Sequence, residues 1–119
     1  MQTKPRLLSA STISGDKVRN TSGEDLGKIE DLMVDLDHTR IAYAVVSFGG
    51  MMGMGSKLFA IPMEALAVDT DAHEFVLNVP RETLEKAPGF DKNNWPDTSD
   101  LEWQARIYSH YGYAPYWDR

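Results

Sequence analysis

The chain has 119 residues, 42% of them hydrophobic and 25% charged, with no cysteine and a formal net charge of −6. That length and balance specify one globular domain, large enough to hold a small core without a metal or disulfide, and they exclude disorder. The missing cysteines remove thiol catalysis, iron–sulfur clusters and thiolate zinc sites, and the acidic charge disfavours nucleic-acid binding, which relies on lysine and arginine at phosphates.

The opening "MQTKPRLLSAS" carries charge but no apolar h-region, so no signal peptide is expected, and residues 1 to 10 read as a flexible N-terminus. No run of about 18 apolar residues occurs, so no membrane span is expected, and the default location is cytoplasmic. Turn signals then recur at short intervals: Ser14-Gly15-Asp16, Asn20-Thr21-Ser22-Gly23, Asp37-His38-Thr39, the glycine run after Phe48, Pro62 and Asp69-Thr70-Asp71. Short runs rich in valine, isoleucine and phenylalanine lie between them, which is the pattern of an antiparallel sandwich or barrel.

In "GKIEDLMVDL" the residues Ile29, Leu32 and Val34 cannot share one face of a regular strand, because an odd step separates the first two. An extra residue near Glu30-Asp31 would repair the register, so a β-bulge is expected there. Asp31 is then either a structural acceptor of backbone N–H groups or a catalytic acid, and the structural role is the commoner one. "IAYAVVSF", Ile41 to Phe48, is apolar on both alternating sets, so neither face suits open solvent. "KLFAIP" and "EFVLNV" add two further strands.

The glycine run "SFGGMMGMGSKLFAIP" resembles a phosphate cradle at first sight. Its order, Gly50-x-x-Gly53-x-Gly55, reverses the dinucleotide fingerprint, and a strand follows it where a helix N-terminus is needed. Gly50 and Gly55 have P-loop spacing, but Ser56 precedes Lys57, and Met51, Met52 and Met54 are wrong for a hydrated phosphate. The run therefore reads as a strand connection whose methionines cover the core or meet a partner.

Past Val79 the pattern changes. "PRETLEKA" reads as a short helix ending before Pro88-Gly89, and "PGFDKNNWPDTSD" as turns carrying two buried-type aromatics, Phe90 and Trp95. Ser99-x-x-Glu102 has the form of a capping box for a helix reaching about Tyr111, with Gly112 as its stop. Trp103, Ile107 and Tyr111 line one stripe of that helix, with Tyr108 at the edge. "YSHYGYAPYWD" gathers Tyr108, Tyr111, Tyr113, Tyr116 and Trp117. With only Arg106 and Arg119 nearby, packing on the barrel or on a second copy is favoured over stacking on bases.

Other constellations carry little chemistry. Ser14-x-x-Lys17 lacks the partner motifs of penicillin-recognising enzymes, and His38, His73 and His110 stand singly, as solvated histidines do. Asp35-Leu36-Asp37 and Asp69-Thr70-Asp71 lack the glycine and distal glutamate of a calcium loop.

Four segments carry a resemblance: "GDKVRNTSGEDLGKIEDLMVD" (Gly15 to Asp35), "IAYAVVSFGG" (Ile41 to Gly50), "KLFAIP" (Lys57 to Pro62) and "APGFDKNNWPD" (Ala87 to Asp97). Through them the chain resembles the PRC-barrel family, in its bacterial stand-alone form. The resemblance implies a mainly β fold, a small, strongly bent antiparallel barrel of about six strands, over residues 11–79. The tail, 80–119, would add a short helix and a C-terminal helix, packed on the barrel or on a partner subunit. Relatives include the cytoplasmic domain of the photosynthetic reaction-centre H subunit and a domain of ribosome-maturation factors, where the barrel docks or assembles and supplies no catalytic residue.

The expectation is thus a non-enzymatic protein-binding or assembly module, homodimeric, with no cofactor and no metal. Its candidate interface comprises Tyr43, Val45, Met51, Met52, Met54, Trp103, Ile107, Tyr108, Tyr111, Tyr116 and Trp117. Gly23, Gly27, Asp31, Gly49, Gly50, Pro88, Trp95 and Pro96 are expected to be structural. The alternatives are a small-ligand binder or cryptic enzyme built on the Gly49–Gly55 loop and Asp31, and a ribosome-associated RNA- or protein-binding module.

Overall fold

The computed structural model describes residues 7–49, 56–69, 71–91, 93–97 and 100–118. A one-turn helix α1 (Ala10–Ile13), capped by the Ser9 hydroxyl, leads into β1 (Lys17–Arg19), β2 (Asp25–Asp35) and β3 (Arg40–Gly49). Then come β4 (Ser56–Ile61), a 3-10 turn (Met63–Ala65), β5 (Leu66–Asp69), β6 (Glu74–Leu77), α2 (Arg81–Glu85), β7 (Gly89–Asp91), α3 (Leu101–His110) and a last 3-10 turn (Tyr116–Asp118).

The strands form one sheet in the order β5-β6-β1-β2-β3-β4-β7. Every pairing is antiparallel except β1 with β6, which is parallel, with Val18 opposite Phe75. Three expectations are corrected here. The sheet has seven strands, it is mixed, and it is open, with β5 and β7 as edges. The parallel pair joins two short strands more than 50 residues apart, so no local turn signal announces it.

The sheet curls around a core built from Val18, Leu26, Ile29, Ala44, Val46, Phe59, Ile61, Phe75 and Leu77, with Ile13 and Leu84 from the short helices. Strands four places apart in the order, β6 and β4, contribute to this single cluster, so the sheet is strongly bent. Register in β2 shifts between Ile29 and Asp31, at the expected bulge, and this keeps Leu32 against the core beside Ile29. A second shift, between Met33 and Val34, was not foreseen. Val34 is 58% exposed and does not join the core face.

A second cluster lies on the other side of β3 and β4. Tyr43, Val45, Leu58 and Ala60 pack there against Ile107, Tyr108 and Tyr116. The two apolar sets of β3 are thereby explained: Ala44 and Val46 face the core, while Tyr43 and Val45 face α3. Each large side chain buried this way stabilises the fold by roughly 1.5–3 kcal/mol.

The start of α3 is set by Asp100, whose carboxylate accepts from the N–H groups of Glu102 (3.0 Å) and Trp103 (3.3 Å). The expected cap, Ser99, lies outside the described residues and is one position too early for this helix. Gly112, with φ of +83°, closes the helix where expected.

Candidate functional site

The β2–β3 hairpin turns over residues 36–39, and the Asp35 carboxylate organises it. Its Oδ1 accepts from the backbone N–H of Asp37 and of His38, each at 3.0 Å, and its Oδ2 meets the His38 ring at 2.9 Å. Aspartate suits this place because its short side chain reaches the two N–H groups that follow. Oδ2 also accepts from the Tyr116 hydroxyl, contributed by the C-terminal 3-10 turn. The Tyr116 hydrogen bond, then the His38 and Asp37 N–H groups and the His38 ring, pull the Asp35 pKa down to about 2. The Tyr116 hydroxyl is pushed well above its usual range, first by burial and then by the adjacent carboxylate.

Beside this network the hairpin, the first turns of α3 and Tyr116 enclose an open cleft of about 470 Å³. Met33, Val34, Ala42 and Leu101 give it apolar walls, Tyr43, Gln104 and Tyr116 give it polar groups, and Asp35, Asp37 and His38 form its acidic side. Val34 and Leu101 are 58% and 56% exposed, and Leu36, at the hairpin tip, is 83% exposed. Arg40 sits over the Tyr116 ring at 4.7 Å and pairs with Glu64 at 2.9 Å, so it is already engaged. The Tyr43 hydroxyl is buried, has no hydrogen-bond partner among the described residues, and is pushed up to about 12 by that burial.

This arrangement is suited to recognition. Asp35 is held ionised by donors that stabilise its charge, which makes it a weak base and removes it as an acid near neutrality. Among the described residues no group of three or more histidine, aspartate or glutamate side chains is placed to hold a metal ion. No helix among them is long and apolar enough to cross a membrane.

The residues singled out in the sequence fall in different places. Tyr43, Val45, Ile107, Tyr108 and Tyr116 are buried in the chain's own second cluster, and Trp103, Tyr111 and Trp117 are half-buried beside it. Of these, only Tyr43 and Tyr116 line the cleft. Met51, Met52, Met54, Gly50 and the rest of the 50–55 run lie outside the described residues. Asp31 is exposed at the bulge, where its Oδ1 accepts the Leu32 N–H at 2.8 Å, and it takes no part in the cleft.

Gly23 and Gly27 have φ of +86° and +107°, and Gly49 ends β3. Pro88 is exposed and Pro96 half-buried. Trp95 is 37% exposed, which corrects the expectation of a buried ring. Its ring meets that of Phe90, in the edge strand β7, in a tilted contact at 5.0 Å, where no further strand among the described residues covers it.

His38 and His110 also differ from the freely solvated histidines expected. The first pairs with Asp35, and the His110 ring lies 3.0 Å from the Thr83 carbonyl. Sequence reading missed the Asp35–Tyr116 link and the cleft. The only local trace of either is the apolar Leu36 between two aspartates.

No curated protein matches the chain significantly. The family model of the PRC-barrel domain matches residues 5–84, two-thirds of the sequence. The matched segment runs through all of the strands except β7 and stops before α3. The curled sheet and that match together place the chain in the PRC-barrel domain family.

Proposed function

We propose that the protein is a non-catalytic assembly module that docks a partner protein on the cleft end of its curled sheet. The observation that carries this reading is the distribution of apolar surface. The aromatic tail packs inside the chain, on β3 and β4, whereas Val34 and Leu101 stay exposed in one acidic cleft and Leu36 at the adjoining hairpin tip. In this reading residues 11–79 are the barrel, and the tail, 80–119, forms one wall of the docking site. The lack of cysteine suits a cytoplasmic setting.

The homodimer expected from the sequence rested on the doubly apolar β3 and the aromatic tail, with the outer face of β3 to be covered either by that tail or by a second copy. That face packs against α3 of the same chain, so it is not a surface left for a second copy. RNA is a poor fit to an acidic cleft. A ligand site at Asp31 draws no support from an exposed carboxylate that caps its own neighbour.

The test is affinity capture from the native host with the wild-type chain and with Leu36→Asp and Leu101→Asp. A partner recovered by the wild type and lost with both variants supports the reading. A thermal-shift panel of nucleotides, metals and metabolites checks the rival. Specific stabilisation that disappears in Asp31→Asn would replace docking with ligand binding.

A further inference from the structure

We propose that the occupant of the cleft is a basic peptide segment of the partner, seating an aliphatic side chain between Val34 and Leu101 and a lysine or arginine beside Asp37. This rests on the docking reading above and names the chemistry of what docks.

The apolar half of the argument is exposure. Val34 is turned out of the core by the second register shift in β2, and Leu101 opens α3 with more than half its surface in solvent. Both line one cleft of about 470 Å³, a volume within the range of sites that enclose a few side chains or a small ligand.

The charged half concerns which carboxylate is free. Asp35 has its oxygens filled by Tyr116, His38 and two backbone N–H groups. Asp37 is exposed, lines the cleft and forms no ion pair among the described residues. The nearby cation, Arg40, is committed to Glu64 and to the Tyr116 ring. Asp100 and Glu102 flank Leu101 in sequence, and Asp100 already caps α3, so the helix N-terminus does not offset the acidic charge. The Tyr43 hydroxyl adds a buried polar group, without a partner among the described residues, in the lining of the same cleft, where an incoming backbone or side-chain group could accept its hydrogen bond.

Charge also selects among occupants. Two copies of a chain with net charge −6 meeting at this end would bring Asp37 and Asp35 of each toward the other, a like-charge contact. A phosphate-bearing partner meets the same repulsion. A segment carrying lysine or arginine beside leucine, isoleucine or methionine satisfies both halves of the site.

The experiment uses a displayed library of random peptides about 15 residues long, selected on the immobilised full chain and counter-selected on Val34→Asp. The enriched peptides should carry lysine or arginine within a few positions of an aliphatic residue. A fluorescein-labelled copy of the leading peptide should then bind at least about tenfold more weakly to Val34→Asp, Leu101→Asp and Asp37→Lys. Its affinity for Asp71→Lys, a charge change in the β5–β6 turn away from the cleft, should stay within about twofold. Equal weakening by Asp71→Lys would reduce the effect to net charge and overturn the proposal, as would enrichment of acidic peptides or of none. Sedimentation velocity separates this failure from failure of the docking reading. Self-association of the wild type that Val34→Asp abolishes would make a second copy the occupant, ending this proposal while docking stands. A chain that binds neither peptide, nor itself, nor a captured protein ends both.

Discussion

The hydroxyl of Tyr116 donates to the carboxylate of Asp35, closing a contact across 81 positions of sequence. It joins the β2–β3 turn to the last turn of the chain and forms one side of the cleft. Asp35 is therefore both the organiser of a local turn and the anchor of a distant tail.

The pH dependence of this anchor follows from the depressed pKa of Asp35, about 2 in the fold against an ordinary 3.8. A carboxylate lowered on folding stabilises the native state fully above its unfolded pKa. The contribution falls away as pH drops from about 4 through about 2, and is gone only below both pKa values, where the group is protonated in both states. Asp35→Asn should therefore lower Tm by a constant amount above about pH 5, and the gap to the wild type should narrow below about pH 4 and close only below about pH 2. A gap that persists undiminished at the acid end would assign the effect to packing and not to charge.

Two tyrosines of the tail with buried hydroxyls should respond differently to loss of that group. Tyr108 donates to the Ala42 carbonyl at 2.5 Å and ties α3 to β3, so Tyr108→Phe should cost about 1 kcal/mol. The Tyr111 hydroxyl is buried with no partner among the described residues, and burial raises its pKa. Tyr111→Phe should be neutral, or stabilising by up to about 1 kcal/mol. Urea titrations of both variants would decide, and a larger loss for Tyr111→Phe would contradict the assignment.

Glycines 23 and 27 both have left-handed backbones, yet they should differ sharply in tolerance. A Cβ at Gly23 meets nothing within 4 Å, so Gly23→Ala should cost only the backbone strain, about 1–2 kcal/mol. A Cβ at Gly27 would lie 1.9 Å from the Ser47 carbonyl oxygen, inside the β2–β3 ladder. Gly27→Ala should exceed about 3 kcal/mol or fail to fold, because backbone must move. Equal costs would show that the close approach is relieved at little expense.

Removal of α3 should convert a folded domain into an associating one. Ending the chain at Asp97 leaves Tyr43, Val45, Leu58 and Ala60 without their cover. The truncated protein should bind a hydrophobic dye strongly and sediment as oligomers, while the full chain does neither to the same degree. A well-behaved truncated monomer would mean that the outer face of β3 needs no cover.

Much of this protein is legible locally. The doubly apolar "IAYAVVSF" announces a strand buried on both sides, the odd step from Ile29 to Leu32 requires a bulge, and Gly112 stops the last helix, because strand period, helix period and turn chemistry act over a few residues. What covers β3 was open in the sequence, since a tail and a second copy satisfy the same apolar demand. Only the packing of Ile107 and Tyr108 on Tyr43 and Val45 decides it. The parallel pairing of β1 with β6, the solvent-facing turn of Val34 and the bond from Tyr116 to Asp35 are likewise tertiary outcomes. Each joins or exposes residues according to how distant segments share one small core, and no spacing within a single segment encodes that.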